Sequence, residues 1–306
     1  MSFKGRDIIS IRDFTRSDIE YVLDTTRLME PLTNGGSKML EGKVMAALFF
    51  EPSTRTRMSF ESAMNKLGGG CISISEARTS SVEKGESLAD TIRTIENYCD
   101  IIVLRHPQDG SARMAAEIAS IPVISGGSGG EEHPTQALLD LYTIKREVGK
   151  IDGLSIALLG DLRYGRTVHS LAYGLAQYDT KLYFVSPESL RVRREVLEDV
   201  SSKVDVYEKR DVREVILDVD VLYVTRIQRE RIADPEEYER VKNAYGITLD
   251  ILRNAKKNLI VMHPLPRVDE ISPDVDQTPH AKYFKQMWYG LVVRMALLSL
   301  VLGAVE

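Results

Sequence analysis

Apolar residues in this chain come either as short unbroken runs or as stripes with helical spacing. Val44 to Phe50 (VMAALFF) is unbroken and bounded by Gly42 and Pro52, the length and punctuation of a strand buried on both faces. Phe60, Ala63, Met64 and Leu67 follow at i, i+3, i+4 and i+7, which predicts a helix stopped by Gly68-Gly69-Gly70. The same alternation continues. Cys71 to Ile74 predicts a short strand, Leu88, Ile92, Ile95 and Cys99 a second amphipathic helix, and Ile101 to Leu104 another strand. A helix from about Ser111 to Ala119, a strand at Val123-Ile124 and the glycine-rich loop Gly126 to Gly130 come next. Ala137, Leu138, Leu141 and Ile144 then mark a helix expected to bridge two domains. Beyond it, strands are predicted at Ser155 to Leu159, Leu182 to Val185, Val204 to Tyr207, Val221 to Val224 and Leu259 to Met262, separated by helical patterns.

Alternation of strand and helix favours parallel sheets covered on both faces. The expected fold class is α/β: two doubly wound parallel-sheet domains with the active site between them. The boundaries fall at residues 1–134 and 135–288, with a C-terminal helix at 289–306 packing back on the first domain. The apolar stretch Leu291 to Leu300 is too short to span a membrane and suits such a docked helix.

Composition narrows the classes. At 306 residues the chain can support two cores, and 43% apolar content fits a globular protein. A net charge of −5 argues against a nucleic-acid partner or a general membrane binder, since either favours a basic surface. Met1 to Arg16 is mixed and charged, without a signal-peptide core, so the expected location is cytoplasmic. Cys71 and Cys99 form no paired motif; both are expected in the core, with no disulfide and no metal site.

Against this acidic background, the segment Glu51 to Glu61 (EPSTRTRMSFE) sets three hydroxyls and two arginines, within Ser53 to Arg57, directly after a buried strand. Ser53 is placed to cap the following helix. The N-terminus of that helix offers unpaired N–H groups and the positive end of the dipole, to which Ser53, Thr54 and Thr56 add hydroxyls. Arg55 and Arg57 face different directions, so Arg55 is assigned to an anion and Arg57 to an ion pair with Glu61, four residues on. Ligands of open α/β sheets bind at the carboxyl ends of strands. Ser53, Arg105, His133, the segment Asp161 to Arg166, Arg226 and the segment His263 to Arg267 each follow a predicted strand. Arg55, Arg105, Arg166 and Arg226, with Lys84, would hold a multiply anionic cargo such as a phosphate beside carboxylates. Asp161 and Glu86 are the carboxylates available as bases, and each reads better as a brace. A reaction driven by positioning and charge stabilisation fits best.

Seven motifs in order resemble the catalytic chains of aspartate carbamoyltransferases, within the aspartate/ornithine carbamoyltransferase superfamily. They are Ser53-Thr-Arg-Thr-Arg57, Lys84-Gly-Glu86, Arg105-His-Pro107, His133-Pro-Thr-Gln136, Asp161-Leu-Arg-Tyr-Gly-Arg-Thr-Val-His169, Thr225-Arg-Ile-Gln228 and His263-Pro-Leu-Pro-Arg-Val-Asp-Glu270. The resemblance runs nearly end to end. It implies transfer of a carbamoyl group from carbamoyl phosphate to the amino group of L-aspartate, a step towards pyrimidines, with no cofactor. By the same resemblance the first domain binds carbamoyl phosphate and the second binds aspartate.

The roles it implies are these. Ser53, Thr54, Arg55, Thr56, Arg105, Ser80 and Lys84 hold the phosphate, while Thr56, Arg105 and His133 donate to the carbamoyl oxygen. Gln136 orients the carbamoyl nitrogen, Arg166, Arg226 and Gln228 hold the aspartate carboxylates, and the backbone at Pro264 and Leu265 lines the pocket. Ser80 and Lys84 would reach a neighbouring chain's site in a homotrimer with shared active sites, which a regulatory chain can join in an allosteric holoenzyme. Ser128 and Glu132 stand where the family commonly has Asp and Gln, so the loop before His133 needs a different brace, and Glu83 stands before Lys84 where the family is often basic, which weakens the local field. The alternatives are an ornithine carbamoyltransferase, against which Arg226-Ile-Gln228 and His263-Pro-Leu-Pro266 speak, and a non-catalytic anion-binding subunit.

Overall fold

The computed structural model describes residues 2–74, 85–130, 132–227, 236, 238–239 and 245–305. The chain divides into two compact units, Met1–Tyr142 with Trp288–Glu306, and Thr143–Met287. No helix among the described residues is long and apolar enough to cross a membrane.

The first unit opens with α1 (Arg16–Met29), which the sequence reading did not anticipate, and the short α2 (Leu32–Gly35). A reciprocal capping box between Thr15 and Asp18 starts α1, and Ile19, Val22, Leu23, Thr26 and Met29 form its buried face. Four strands follow, β1 (Val44–Phe49), β2 (Gly70–Ile74), β3 (Ile101–Arg105) and β4 (Val123–Ser125), separated by α3 (Thr54–Lys66), α4 (Leu88–Ile95) and α5 (Ser111–Ile118). Their order in the sheet is β2-β1-β3-β4, and every pairing is parallel. One face packs Ala46, Leu48, Ile102, Leu104 and Val123 against Ile92 and Ala115. Phe60, Ala63, Met64 and Leu67 of the α3 stripe are wholly buried. Cys71 and Cys99, expected in the core, are only partly buried, because Cys71 lies on the edge strand β2 and Cys99 beyond α4. Burial, joined at Cys71 by the Glu61 charge, pushes both thiols up to about 11, so neither is reactive near neutrality.

Helix α6 (Pro134–Val148) carries the chain into the second unit. There β5 (Leu154–Leu159), β6 (Thr180–Val185), β7 (Asp205–Lys209), β8 (Val221–Val224) and β9 (Ile260–Met262) alternate with α7 (Arg166–Leu175), α8 (Arg194–Ser201) and α9 (Leu249–Leu252). The strand order is β7-β6-β5-β8-β9, again all parallel. Leu159, Leu222, Val224, Val261 and Ile271 belong to its core. The last helix, α10 (Tyr283–Val301), returns the chain to the first unit, where the Gly5 N–H donates to the Val301 carbonyl at 2.9 Å.

In each sheet the chain reverses its direction of travel next to the first strand, between β1 and β3 and between β5 and β8. Such switch points open a crevice at the carboxyl ends of the strands. At the second one, Gly160 ends β5 with φ +116°, and a Cβ there would fall 2.3 Å from the Thr225 carbonyl oxygen. Gly160→Ala is therefore expected to lower stability by about 2 kcal/mol or more, since backbone must move at a strained φ. Denaturant unfolding of the variant would measure this, and a wild-type midpoint would contradict the close approach.

Candidate functional site

At the first switch point, α3 begins directly after β1. Ser53 occupies the N-cap position, but its side chain makes no capping hydrogen bond to the first turn. Thr54 and Arg55 are exposed, whereas Thr56 is buried with its Oγ1 3.4 Å from His133 Nε2. Arg57 takes its expected bracing place, Nε lying 3.9 Å from Glu61 Oε1.

Arg105 ends β3 in register with Phe49, and the Phe50 N–H donates to its carbonyl at 2.8 Å. Its guanidinium pairs with Glu51 and donates from Nη1 to the Gly126 carbonyl at 3.3 Å. Glu51 was given no role in the sequence reading, although it flanks the arginine motif. It supplies the negative charge that lets Arg105 sit largely buried, and a bound dianion would offer the same guanidinium a second partner.

The glycine loop fits closely around this arginine. Gly127 has φ +92°, and a Cβ there would lie 2.9 Å from His133 Cδ2 and 3.4 Å from Arg105 Nη1. The loop is braced by the residues that depart from the family pattern. Glu132 accepts from Ser10 Oγ at 2.6 Å and from the Ile11 N–H at 2.9 Å, while Ser128 Oγ accepts from the His106 N–H at 3.3 Å. His133 is buried at the start of α6, and the Gln136 N–H donates to its carbonyl at 3.0 Å, which places both in one helical turn.

The second unit has its own cluster. Asp161 is buried after β5, and its Oδ1 accepts from the Tyr164 N–H at 3.0 Å. That turn leads to Arg166, the partly exposed first residue of α7. Across the switch point, the Thr225 N–H and Oγ1 both donate to the Leu159 carbonyl, at 2.8 and 3.0 Å, fixing the strand end from which the partly exposed Arg226 departs. After β9, His263 is held on three sides: its Nδ1 accepts from the Leu265 N–H at 2.8 Å, its Nε2 meets Glu270 Oε1 at 2.7 Å, and its N–H donates to Gln286 Oε1 at 3.0 Å. Leu265 has φ +55°, alone among the described non-glycine residues in that region, and a cis bond joins it to Pro266. Such a backbone turns Pro264 and Leu265 away from a regular strand end.

The first cluster thus brings together Ser53, Thr54, Arg55, Thr56, Arg105, His133 and Gln136, and the second carries Arg166, Arg226, Pro264 and Leu265. Ser80, Lys84 and Gln228 lie outside the described residues. Glu86, weighed as a base, accepts from Thr91 Oγ1 at 2.9 Å. No group of three or more metal-ligating side chains occurs among the described residues.

Burial raises the Glu270 carboxyl, but the bond from His263 and the backbone N–H of Val268 outweigh it and leave the group below its usual 4.5. A lowered folded-state value means stabilisation that is present above about pH 4.5 and is lost as the pH falls through the folded pKa. Glu270→Gln is accordingly expected to cost about 1.5–3 kcal/mol at pH 7, with the gap to wild type narrowing in acid. Urea unfolding from pH 7 down to pH 3.5 measures it, and a gap constant with pH would contradict the ionic role.

Two family patterns cover most of the chain. The carbamoyl-P binding domain of aspartate/ornithine carbamoyltransferase matches residues 6–146, and the Asp/Orn binding domain matches residues 152–301. The chain is 60% identical over 306 residues to the aspartate carbamoyltransferase catalytic subunit of Thermococcus kodakarensis, covering 99% of each. With the subunit from Thermococcus onnurineus it shares 58% over 309 residues, covering 100% of each. The crystallised catalytic subunit of M. jannaschii aspartate transcarbamoylase superposes with TM-score 0.91 at 54% identity over 96% of both chains. The Trypanosoma cruzi enzyme in complex with carbamoyl phosphate and aspartate superposes with TM-score 0.93 at 41% identity, over 98% of this chain and 96% of the other.

Proposed function

The chain belongs to the aspartate/ornithine carbamoyltransferase family, and from that premise we propose that it transfers the carbamoyl group of carbamoyl phosphate to the amino group of L-aspartate. The products are N-carbamoyl-L-aspartate and phosphate. The observation that carries the reading is the α3 N-terminus at a switch point, not capped by the Ser53 side chain, with Arg55 on its first turn and the Arg105 guanidinium at the neighbouring strand end.

A phosphate at that position accepts from first-turn N–H groups and the Ser53, Thr54 and Thr56 hydroxyls, and Arg55 and Arg105 neutralise its charge. Ser80 and Lys84 complete this set. The aspartate amine attacks the carbonyl carbon, and the carbonyl oxygen gathers negative charge opposite Thr56, Arg105 and His133. The bond from that carbon to the phosphate oxygen then breaks. The phosphate leaves with the electron pair and takes the proton released by the amine, so the reaction needs no side-chain base. Arg166, Arg226 and Gln228 hold the acceptor's two carboxylates, and the Pro264 and Leu265 backbone lines its pocket. Residues 1–134 thus act as the carbamoyl-phosphate domain and residues 135–288 as the aspartate domain.

The reading extends to a cytoplasmic enzyme of pyrimidine synthesis that works as a homotrimer with shared sites and can take up a regulatory chain. Purified chain given carbamoyl phosphate with aspartate or with ornithine decides the acceptor: carbamoyl aspartate is expected, carbamoyl ornithine would name the sister activity, and no product would leave only anion binding.

Three variants test the roles. Arg55→Ala is expected to abolish turnover in a folded protein, because Arg55 is exposed and its loss removes a charged phosphate contact. Arg226→Ala is expected to weaken aspartate about ten- to hundredfold, roughly 1.5–3 kcal/mol, while phosphate affinity of the free enzyme holds; equal loss of both ligands would make Arg226 structural. Mixing Lys84→Ala with Arg55→Ala subunits is expected to restore activity, since some hybrid sites combine both intact residues. Exchange verified by native mass without recovered activity would place each site within one chain.

A further inference from the structure

Gln136 is buried at the start of α6, where a side-chain amide could present either its oxygen or its NH2 group to a ligand. One turn along the helix, Asp140 is also buried, and its Oδ1 accepts from Gln136 Nε2 at 2.9 Å. A carboxylate can only accept, so it binds the NH2 side of the amide and directs the Gln136 carbonyl oxygen the other way.

The charge on Asp140 has a counterpart in α10. Arg294 is 4% exposed, its guanidinium lies 5.1 Å from the Phe60 ring centre, and its Nε has no hydrogen-bond partner. Burial drives its pKa down to about 10 against the opposing pull of Asp140, which keeps it a cation at neutral pH. Gly290 makes room for it: a Cβ there would fall 2.9 Å from Arg294 Nη1 and 3.1 Å from Leu139 Cδ2. Two buried charges are a poor way to stabilise helix packing, because apolar residues of equal volume do as well or better. They are a good way to keep one acceptor fixed behind an amide.

We infer that Asp140, supported by Arg294, is a positioning residue that locks the Gln136 carbonyl oxygen as an acceptor for the donor's amino group, and so makes the enzyme prefer a carbamoyl to an acyl phosphate. The inference rests on the reading that the chain binds carbamoyl phosphate. A carbamoyl NH2 can satisfy that oxygen, whereas a methyl in its place leaves a buried acceptor unpaired. Sites built to bond a group reject analogues lacking it far more strongly than apolar pockets do.

Phosphonoacetamide and 2-oxopropylphosphonate are stable probes that differ only by NH2 against CH3. Calorimetric titration of the intact protein with each gives a preference ratio, and inorganic phosphate reports the phosphate contacts alone. Wild type is expected to prefer the amide. In Asp140→Ala the ratio is expected to fall about tenfold, the worth of one buried hydrogen bond, with phosphate affinity unchanged. Because Asp140→Ala strands the Arg294 charge, the double variant Asp140→Leu/Arg294→Met, which removes both charges, is titrated beside it. It is expected to fold, by circular dichroism and thermal unfolding, and to show the same loss of preference. A folded double variant that keeps the wild-type ratio overturns the inference, as does one that loses phosphate and both phosphonates in equal measure. Wild type that forms carbamoyl aspartate but binds the two phosphonates equally overturns it while leaving the activity standing. Wild type that forms no carbamoyl aspartate takes down the functional reading first.

Discussion

Parallel strand pairing is the constraint on which the rest of the molecule depends. Both sheets pair in parallel throughout, so within each sheet every strand delivers its carboxyl end to one edge, and α3 after β1 and α7 after β5 start there with the positive ends of their dipoles. The order of strands does the rest, because a switch point beside β1 and another beside β5 keep the flanking helices apart at those two places. Arg55 and Arg105 stand at the first and Arg166 and Arg226 at the second without any dedicated binding element.

Gathering cations at strand ends creates a second requirement, since arginines near a core need compensation before a substrate arrives. The described structure meets it locally. Glu51 pairs with Arg105, Glu61 lies beside Arg57, and Asp276 with the Tyr283 hydroxyl holds Arg267 next to the second cluster. Asp140 answers Arg294 deeper in the first unit. Glu51 and Asp276 each hold their guanidinium by a direct ion pair, so an anion at Arg105 would meet a donor already aligned rather than a side chain that must be ordered first.

Strands and major helices were legible because burial on both faces writes unbroken apolar runs, and the α3 stripe and β1 fell within a residue of their predicted ends. Helix α1 escaped notice because Arg16, Glu20 and Asp24 alternate with its apolar residues along the sequence and Asp18 lies within its buried face, which draws attention to charge instead of period. The polar residues at strand ends were legible as a set, through motif order and placement. Their partners were not. Glu51 stood at the flank of a motif, Glu132 at a departure from a pattern, and Arg294 inside the apolar stretch from Leu291 to Leu300. Arg294 was the strongest unread signal, since a single arginine in a run that apolar is buried only with a counter-charge at hand.

The histidines show how geometry separates structure from chemistry where residue type cannot. Of the five in the chain, four are committed to local architecture. His106 Nδ1 accepts from the Gln108 N–H and contacts Ser111 Oγ at 3.1 and 2.9 Å, His169 Nε2 meets the Leu162 carbonyl at 2.8 Å, and His280 Nδ1 meets the Leu259 carbonyl at 2.8 Å. His263 spends one ring nitrogen on the Leu265 N–H and the other on Glu270. His133 is the one set beside the start of α3, with Nε2 toward Thr56 and the ring against Gly127. Under the proposed reaction an imidazole N–H there would serve the carbonyl oxygen as it becomes anionic, and the leaving phosphate would take the amine's proton. That reaction would demand fixed donors around one oxygen and one phosphate, and a rigid sheet edge bearing helix N-termini, a braced arginine and a packed glycine loop is suited to supply them.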